Sequence, residues 1–295
     1  MFGPEGQAIL KKSKIAIIGL GGVGALLAEY LGRLGVGSFV LVDPDRVDPT
    51  NLPRLVDADN WDAMTWLSHS WLPNWLKRFG RLLATRKIDL SAKVIKKANR
   101  HAKIKLFFSA MESRDVVEAI KDCDYIFLAA DSHRARRLFN ALVHQYLIPG
   151  TQMGSKIQSD RVSGGLLNVH TSVRHVTPDC GCLVCNQAIS AARLQEESVS
   201  KEMLQAQKYT DEPDIIAPSV ITLNAISAAQ AANDFLFYLT GITHDDAFGG
   251  YVQSHPLVRR TRMVQPRRDD DCPDCGAGAD SRRARGDGAD IPLVD

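Results

Sequence analysis

The chain is predicted to fold as an α/β protein whose doubly wound, mostly parallel sheet is continued by antiparallel strands. Three observations predict it. Short β-branched or aromatic runs at 15–18, 39–42, 104–108 and 125–130 alternate with stretches of helical periodicity, the pattern of parallel strands joined by crossover helices. The first run passes into Gly19-Leu-Gly-Gly-Val-Gly24 and then into apolar positions 26, 27, 30, 31 and 34, which reads as strand, glycine turn and helix. From Gly150 the alternation gives way to a polar, glycine-bearing stretch over 155–173, suggesting antiparallel strands.

Length and composition are those of an ordinary globular protein. The 295 residues suffice for a self-supporting core, and 45% hydrophobic with 24% charged residues argue against a disordered or collagen-like chain. Lys plus Arg is 36 and Asp plus Glu is 34, a net charge of +2 that gives no basis for nucleic-acid or membrane partners, so neither is expected, although the balance leaves room for local basic patches. The apolar stretch 15–28 contains four glycines and stops at Glu29, short of the roughly 18–20 residues of a membrane span. The first fourteen residues hold no apolar signal core, so a cytoplasmic, reducing location is expected. There, six cysteines point to metal or reactive thiols rather than disulfides.

The second strand ends at Asp43. Between Arg54 and Lys87 a segment holding all four tryptophans (Trp61, Trp66, Trp71 and Trp75) interrupts the alternation, and a helical insertion is predicted over 57–84. Pro73 divides it into two short helices, with Trp71, Trp75 and Phe79 at i, i+4 and i+8. The expectation is that these aromatics pack on the body of the protein; the alternative is a partner-docking surface, because Trp is enriched in interface hot spots. Residues 190–217 are mostly polar and read as a mobile crossover segment. A helix over 219–240 follows, with Ile226, Ala229, Ala232, Phe235, Leu236 and Leu239 on one side and Gly241 as its cap; it is a core helix or a subunit interface. Residues 276–295 are rich in Gly, Asp, Arg and Ala without periodicity and are predicted to be a disordered tail, leaving 1–275 as the folded domain.

Gly19, Gly21 and Gly24, with Gly22 between them, form G-x-G-x-x-G between a strand and a helix, the Rossmann-like context in which a phosphate approaches a helix N-terminus. Asp43 closes the second strand, where a carboxylate can accept ribose hydroxyls. These features predict nucleotide binding without distinguishing ATP from NAD or FAD.

The residues after Asp43 discriminate further. The stretch LVDPDRVDPTNLPR, taken with EGQAILKKSKIAIIGLGGVG before it, resembles the ThiF/MoeB/HesA family of adenylating enzymes, which activate ubiquitin-like and sulfur-carrier proteins. The family's D-x-D-x-V-x-x-x-N-L-x-R pattern is matched by Asp43, Asp45, Val47, Asn51, Leu52 and Arg54. Its lysine-bearing helix start is matched by Lys87, and its magnesium aspartate, with an arginine five residues on, by Asp131 and Arg136. The resemblance spans about 2–275. It implies that Asp43 holds the ATP ribose, that Asn51, Arg54 and Lys87 surround the phosphates, and that Asp131 binds Mg²⁺. Attack of a carboxylate on the α-phosphorus brings anions together, and cationic groups with a divalent metal offset that charge. The resemblance also implies a homodimer, a carrier protein ending in glycine, and a downstream conjugating enzyme or sulfurtransferase.

Cys182-Leu-Val-Cys185 and Cys272-Pro-Asp-Cys275 are two C-x-x-C pairs, and four thiolates suit a closed tetrahedral zinc site joining the middle of the chain to its end. A redox pair is the alternative. Cys180 can replace Cys182 as a ligand, and Cys123 is expected in the core. Relatives that form a thioester carry a cysteine on the crossover segment; none lies between Cys185 and Cys272, which leaves only Cys180 or Cys123 for that role and favours adenylation without a covalent enzyme intermediate. Many relatives also carry an arginine ahead of the Met1-Phe-Gly-Pro-Glu-Gly-Gln7 stretch that reaches the neighbouring subunit's ATP; here the start is read as late, or Arg46 supplies that charge. The alternatives to ATP-dependent adenylation are a non-catalytic nucleotide-binding adaptor and, less favoured, an NAD- or FAD-dependent oxidoreductase, which leaves Arg54, Lys87 and Asp131 without roles.

Overall fold

Alternation along the first strands decides where the helices go. In β1 (Lys14–Ile18), Ile15 and Ile17 belong to one hydrophobic cluster and Ala16 and Ile18 to another, all of them buried; β2 (Ser38–Val42) repeats this with Phe39 and Leu41 against Val40 and Val42. Strands apolar on both faces must be covered on both. The computed structural model describes residues 3–159, 166–198, 219–242, 250–278 and 280–293 and shows that cover. Helices α1 (Gly3–Lys12), α2 (Gly22–Leu34), α4 (Lys87–Ala98) and α8 (Ile221–Thr240) contribute to the first cluster, and α5 (Arg114–Lys121) and α6 (His133–Tyr146) to the second. Each large apolar side chain buried this completely contributes roughly 1.5–3 kcal/mol.

The sheet has eight strands in the order β3-β2-β1-β4-β5-β6-β7-β8. Here β3 is Lys103–Phe107, β4 Tyr125–Leu128, β5 Gly150–Ser159, β6 Leu166–Val176, β7 Tyr251–His255 and β8 Arg260–Val264. Pairs from β3 through β5 are parallel and pairs from β5 through β8 antiparallel, as the change of pattern at Gly150 predicts. The first strand pairs with β2 on one side and β4 on the other, so the chain reverses its order there. A crevice opens beyond the carboxyl ends of strands at such a switch point.

The long helix α8 is a core helix. Asn224, Ala228, Ala231, Ala232 and Phe235 are buried, and the small side chains let it lie close on α2; Gly241 caps it at φ +64°. Ala232, Phe235 and Leu236 of the stripe read from sequence are buried, whereas Ile226 and Ala229 are exposed because the N-terminal half of the helix buries Asn224, Ser227 and Ala228 instead.

The insertion departs further from expectation. One 3-10 turn (Thr65–Leu67) precedes Pro73 and one helix, α3 (Asn74–Leu83), follows it. Trp71, Trp75 and Phe79 do not pack on the body: they are 77%, 68% and 52% exposed. The reason is that α3 meets the protein through Gly80, whose missing side chain leaves room for Leu67; a Cβ there would stand 2.6 Å from Leu67 Cβ.

The expected disordered tail is corrected for residues 280–293, which lie along α5 and α6. Gln145 Nε2 donates to the carbonyls of Gly286 and Ala289 at 2.6 Å, Asp287 takes Lys121 and Tyr146 at 2.7 Å, and Ile291 and Leu293 pack on the second cluster. Composition misleads here because partners more than a hundred residues away supply the order. Of the crossover segment, the described part is 190–198, including α7 (Ala191–Ser198); the rest lies outside the described residues. Among the described residues no helix is long and apolar enough to cross a membrane.

Candidate nucleotide site and cysteine cluster

Beyond β1 the chain turns through Gly19 at φ +84°, and a Cβ there would meet the Ala130 nitrogen at 2.7 Å. Gly24 faces the same turn: its Cβ would fall 1.9 Å from the Gly19 carbonyl oxygen. Both glycines let α2 start directly behind the strand. Asp43, buried at the end of β2, fastens the turn by accepting from the Leu20 amide at 2.6 Å through Oδ2 and from the Asp45 amide at 2.8 Å through Oδ1. Burial raises the Asp43 pKa from its ordinary value, opposed by the Lys87 charge and those two amides. Each oxygen keeps capacity for a further donor.

Lys87 is the first residue of α4. Its ammonium is 2.7 Å from Asp45 Oδ2, with the lysine side chain 11% and the aspartate 62% exposed. Arg54 follows the 3-10 turn Pro49–Asn51, whose Asp48 cap accepts from Thr50 N at 2.9 Å, and its guanidinium holds the Thr50 carbonyl at 3.2 Å. Asp131 lies between β4 and α6. The cap of α6 is Ser132, which accepts from Ala135 N at 3.1 Å, and the exposed carboxylate of Asp131 accepts no hydrogen bond among the described residues.

Gly19, Gly21, Gly22, Asp43, Asp45, Arg54, Lys87 and Asp131 line one cavity of about 520 Å³ at the switch point. Two expected residues do not. Gly24 serves the turn itself, and Asn51 is buried beneath the site, its carbonyl accepting from Arg54 N at 2.9 Å and Leu55 N at 3.0 Å. Arg46 is not on the wall either. It donates to the Ala84 carbonyl at 2.6 Å and lies over the Phe108 ring, so the end of the insertion holds it.

Sequence reasoning missed several wall residues. Asn224 of α8 stands beside Gly22, accepts from Ser155 Oγ at 2.7 Å and donates to Ser219 Oγ at 3.0 Å. Asp131, Ser132, Arg136 and Gln152 are among the residues this cavity shares with a second one of about 1460 Å³, which also holds Lys156, His170, Arg174, Glu196 and Glu197. Arg174 is opposite Gln152 across the β5–β6 pair and donates to its Oε1 at 2.6 Å. Burial lowers the pKa of Arg136 and of Arg174, to which the Arg136 charge adds. No local signal marks Gln152 or Arg174, since only strand register brings them together; Arg136 carried the motif match. Glu197 of α7 closes the rim by accepting from the His133 and Arg134 amides at 2.8 and 2.9 Å.

The four expected sulfurs also meet. Sγ atoms of Cys182, Cys185, Cys272 and Cys275 all lie within 4.8 Å of one another, with separations of 3.5 Å (Cys182–Cys185) and 3.6 Å (Cys182–Cys272 and Cys185–Cys275). A tetrahedral zinc with bonds near 2.3 Å needs edges of about 3.8 Å, so the donor set fits zinc. Hydrogen bonding, first to Cys182, lowers the pKa of the Cys275 thiol, while Cys182 is pushed up by its Cys275 bond and burial. Cys180 is outside the group, which decides between it and Cys182. Cys123 is buried in the second cluster, its thiol pushed up to about 12 by burial, and is not poised as a nucleophile.

The ThiF family pattern matches residues 1–274. The chain belongs to the ThiF family. Among relatives of this ThiF-family chain, the SAMP-activating enzyme E1 of Haloferax volcanii is 24% identical over 282 residues, covering 94% of this chain and 85% of that protein. The tRNA threonylcarbamoyladenosine dehydratase of Bacillus subtilis is 52% identical over 57 residues, 19% of this chain and 22% of that protein. Of solved structures, Escherichia coli MccB with ATP superposes with a TM-score of 0.64 at 17% identity, over 92% of this chain and 69% of that one. That likeness concerns the fold.

Proposed function

We propose that this ThiF-family chain is an ATP-dependent adenylyltransferase acting on the C-terminal carboxylate of a small ubiquitin-like or sulfur-carrier protein. One observation carries the reading: the glycine turn, Asp43, Arg54, Lys87 and Asp131 line a single cavity that shares Arg136 and Gln152 with a larger one, where Arg174 and Lys156 stand beside them and Glu196 and Glu197 lie on the wall. The first fits a nucleotide, and the second has room for a chain end whose carboxylate reaches Arg136 at the shared wall. The relatives named for activating a carrier and the fold shared with an ATP-bound protein support it.

In this reading Asp43 accepts the ribose hydroxyls, the amides at the start of α2 face the phosphates, and Arg54 and Lys87 offset their charge. The carrier's carboxylate oxygen forms a bond to the α-phosphorus; the bond from that phosphorus to the bridging oxygen breaks, and pyrophosphate leaves with the electron pair. No general base is needed, because the nucleophile is already ionised, so positioning and charge stabilisation are the protein's contribution. Asp131, a carboxylate on the cavity wall that accepts no hydrogen bond among the described residues, fits Mg²⁺, which when bound supplies charge neutralisation at the phosphates. The cysteine cluster is assigned to structural zinc, since protein sulfur fills all four positions and leaves none for a reacting water. A homodimer belongs to the same proposal.

The match to a dehydratase favours one second reading, in which the activated carboxylate is on a modified tRNA nucleoside. ATP–pyrophosphate exchange tests both. Exchange that depends on a glycine-terminated carrier supports the proposal, exchange that depends on tRNA supports the second reading, and preferential binding of NAD over ATP overturns both.

A further inference from the structure

The insertion places an amphipathic basic helix on the surface with its apolar side uncovered. At 3.6 residues per turn, Leu82, Trp75, Phe79 and Leu83 fill an arc of about 100° on α3. They are 67%, 68%, 52% and 48% exposed. Leu76 and Gly80 lie beside this arc, toward the body, and Lys77, Arg78 and Arg81 occupy the remaining side. Trp71 extends the apolar surface ahead of Pro73, its ring stacked on His69 at 6.3 Å. Between Ala63 and Ile88 there is no acidic residue; of the basic ones, Lys77, Arg78 and Arg81 belong to this surface, while Arg86 lies over the Phe108 ring and Lys87 belongs to the nucleotide cavity. The acids just before are engaged: Asp57 pairs with Lys93 at 3.3 Å and Lys97 at 2.7 Å, and Asp59 and Asp62 accept from backbone amides within their own turn.

We propose that α3 and Trp71 form a docking surface for an anionic lipid bilayer, lying in its interface with the apolar arc inward. A large apolar arc of Trp, Phe and Leu beside Lys and Arg is the composition of helices that lie in the membrane interface. Tryptophan favours the headgroup level, and the long basic side chains reach back to the phosphates. A helix is only about 10–12 Å across, so all three basic groups stay near one Debye length of the lipid surface. Charge selects this occupant over a second copy, since pairing α3 with its own mate sets Lys77, Arg78 and Arg81 against the same three cations with no acid on the helix to offset them. The near-neutral total of +2, which predicted no membrane partner, hides this local excess. The surface is independent of the adenylation reading.

The test is cosedimentation of the full chain with vesicles of phosphatidylcholine alone or with about one third phosphatidylserine, at about 0.1 M and 0.5 M salt. Tryptophan emission is followed in parallel. Expected are partitioning at least tenfold stronger on the phosphatidylserine vesicles at low salt, a blue shift on binding, and loss of both at high salt. Trp75→Ser with Leu82→Ser weakens partitioning at least tenfold while the melting temperature stays near that of the parent, because both side chains are exposed. Equal partitioning on the two vesicles overturns the proposal, as does a double variant that still binds. A parent dimer that the double variant dissociates, with no vesicle binding by either, also overturns it and assigns the surface to a second copy.

Discussion

At the scale of single residues, the site is built from charges whose surroundings differ. Lys87 is nearly enclosed but its partner Asp45 is exposed, so removing the ammonium leaves a carboxylate that water can solvate, and the fold loses little. Lys87→Met is therefore expected to keep a melting temperature close to the parent's and to lower carrier-dependent pyrophosphate exchange by about 100-fold or more, the scale of a lost charge-stabilising group. Exchange near the parental rate removes Lys87 from the phosphates. Asp234 shows the opposite balance, away from the site. Burial raises its pKa to about 6, against one hydrogen bond from Gln230 Nε2 at 2.7 Å that lowers it. A carboxyl raised in the folded state is more stable protonated there: its favourable contribution is complete below the ordinary value near 3.8 and is lost as pH rises through about 6. Asp234→Asn should melt higher than the parent at pH 8, by an amount that shrinks toward zero near pH 4; a difference independent of pH excludes this titration as the cause.

At the scale of elements, Gly21 and Gly24 separate two uses of a glycine turn. A Cβ on Gly24 collides with the Gly19 carbonyl, whereas one on Gly21 meets no protein atom within 4 Å but stands on the cavity wall. Gly24→Ala is expected to lower the melting temperature by several degrees, the result of an overpacking cost of about 1–3 kcal/mol. Gly21→Ala should leave melting unchanged and weaken ATP binding about tenfold or more by calorimetry. Equal ATP affinity in Gly21→Ala means that the phosphates do not approach there. This turn, the strands beside it and the change to antiparallel pairing after Gly150 were legible because they depend on local pattern: period-two burial, glycine spacing and the position of Asp43. What was not legible depends on partners distant in sequence. The register that sets Arg174 against Gln152, the first-turn Asn224 of α8 beside Gly22, and the tail residues on Gln145 leave no local trace. The tryptophan stripe misled for a related reason, since periodicity shows that a face is apolar but not whether anything covers it.

Across the whole molecule, the cysteine cluster ties the nucleotide side of the fold to its last residues through one helix. Asn140, fully buried in α6, accepts from Leu183 N at 2.8 Å inside the first C-x-x-C pair and donates to Asp274 Oδ2 at 2.8 Å inside the second. Asp274 in turn holds Arg282 at 2.9 Å, and Arg282 reaches Gln145 at 3.1 Å, so the docked tail depends on the same carboxylate. The first turn of α6 carries Ser132 and Arg136 of the cavity walls. With zinc in the cluster as proposed, losing the metal should act at three places together. In Cys275→Ser, zinc measured by plasma mass spectrometry is expected to fall from about one per chain toward zero, a closed four-sulfur site having no spare ligand. The melting temperature should fall by roughly ten degrees or more, because a structural zinc contributes several times the 1 kcal/mol that moves melting by about 2–4 °C. Limited proteolysis should now cut beyond residue 276, and exchange should weaken as α6 loosens. A parent free of zinc that melts and resists protease like the metal-loaded protein shows instead that the thiols close the fold without metal, and the clamp then rests on Asn140 and Asp274 alone.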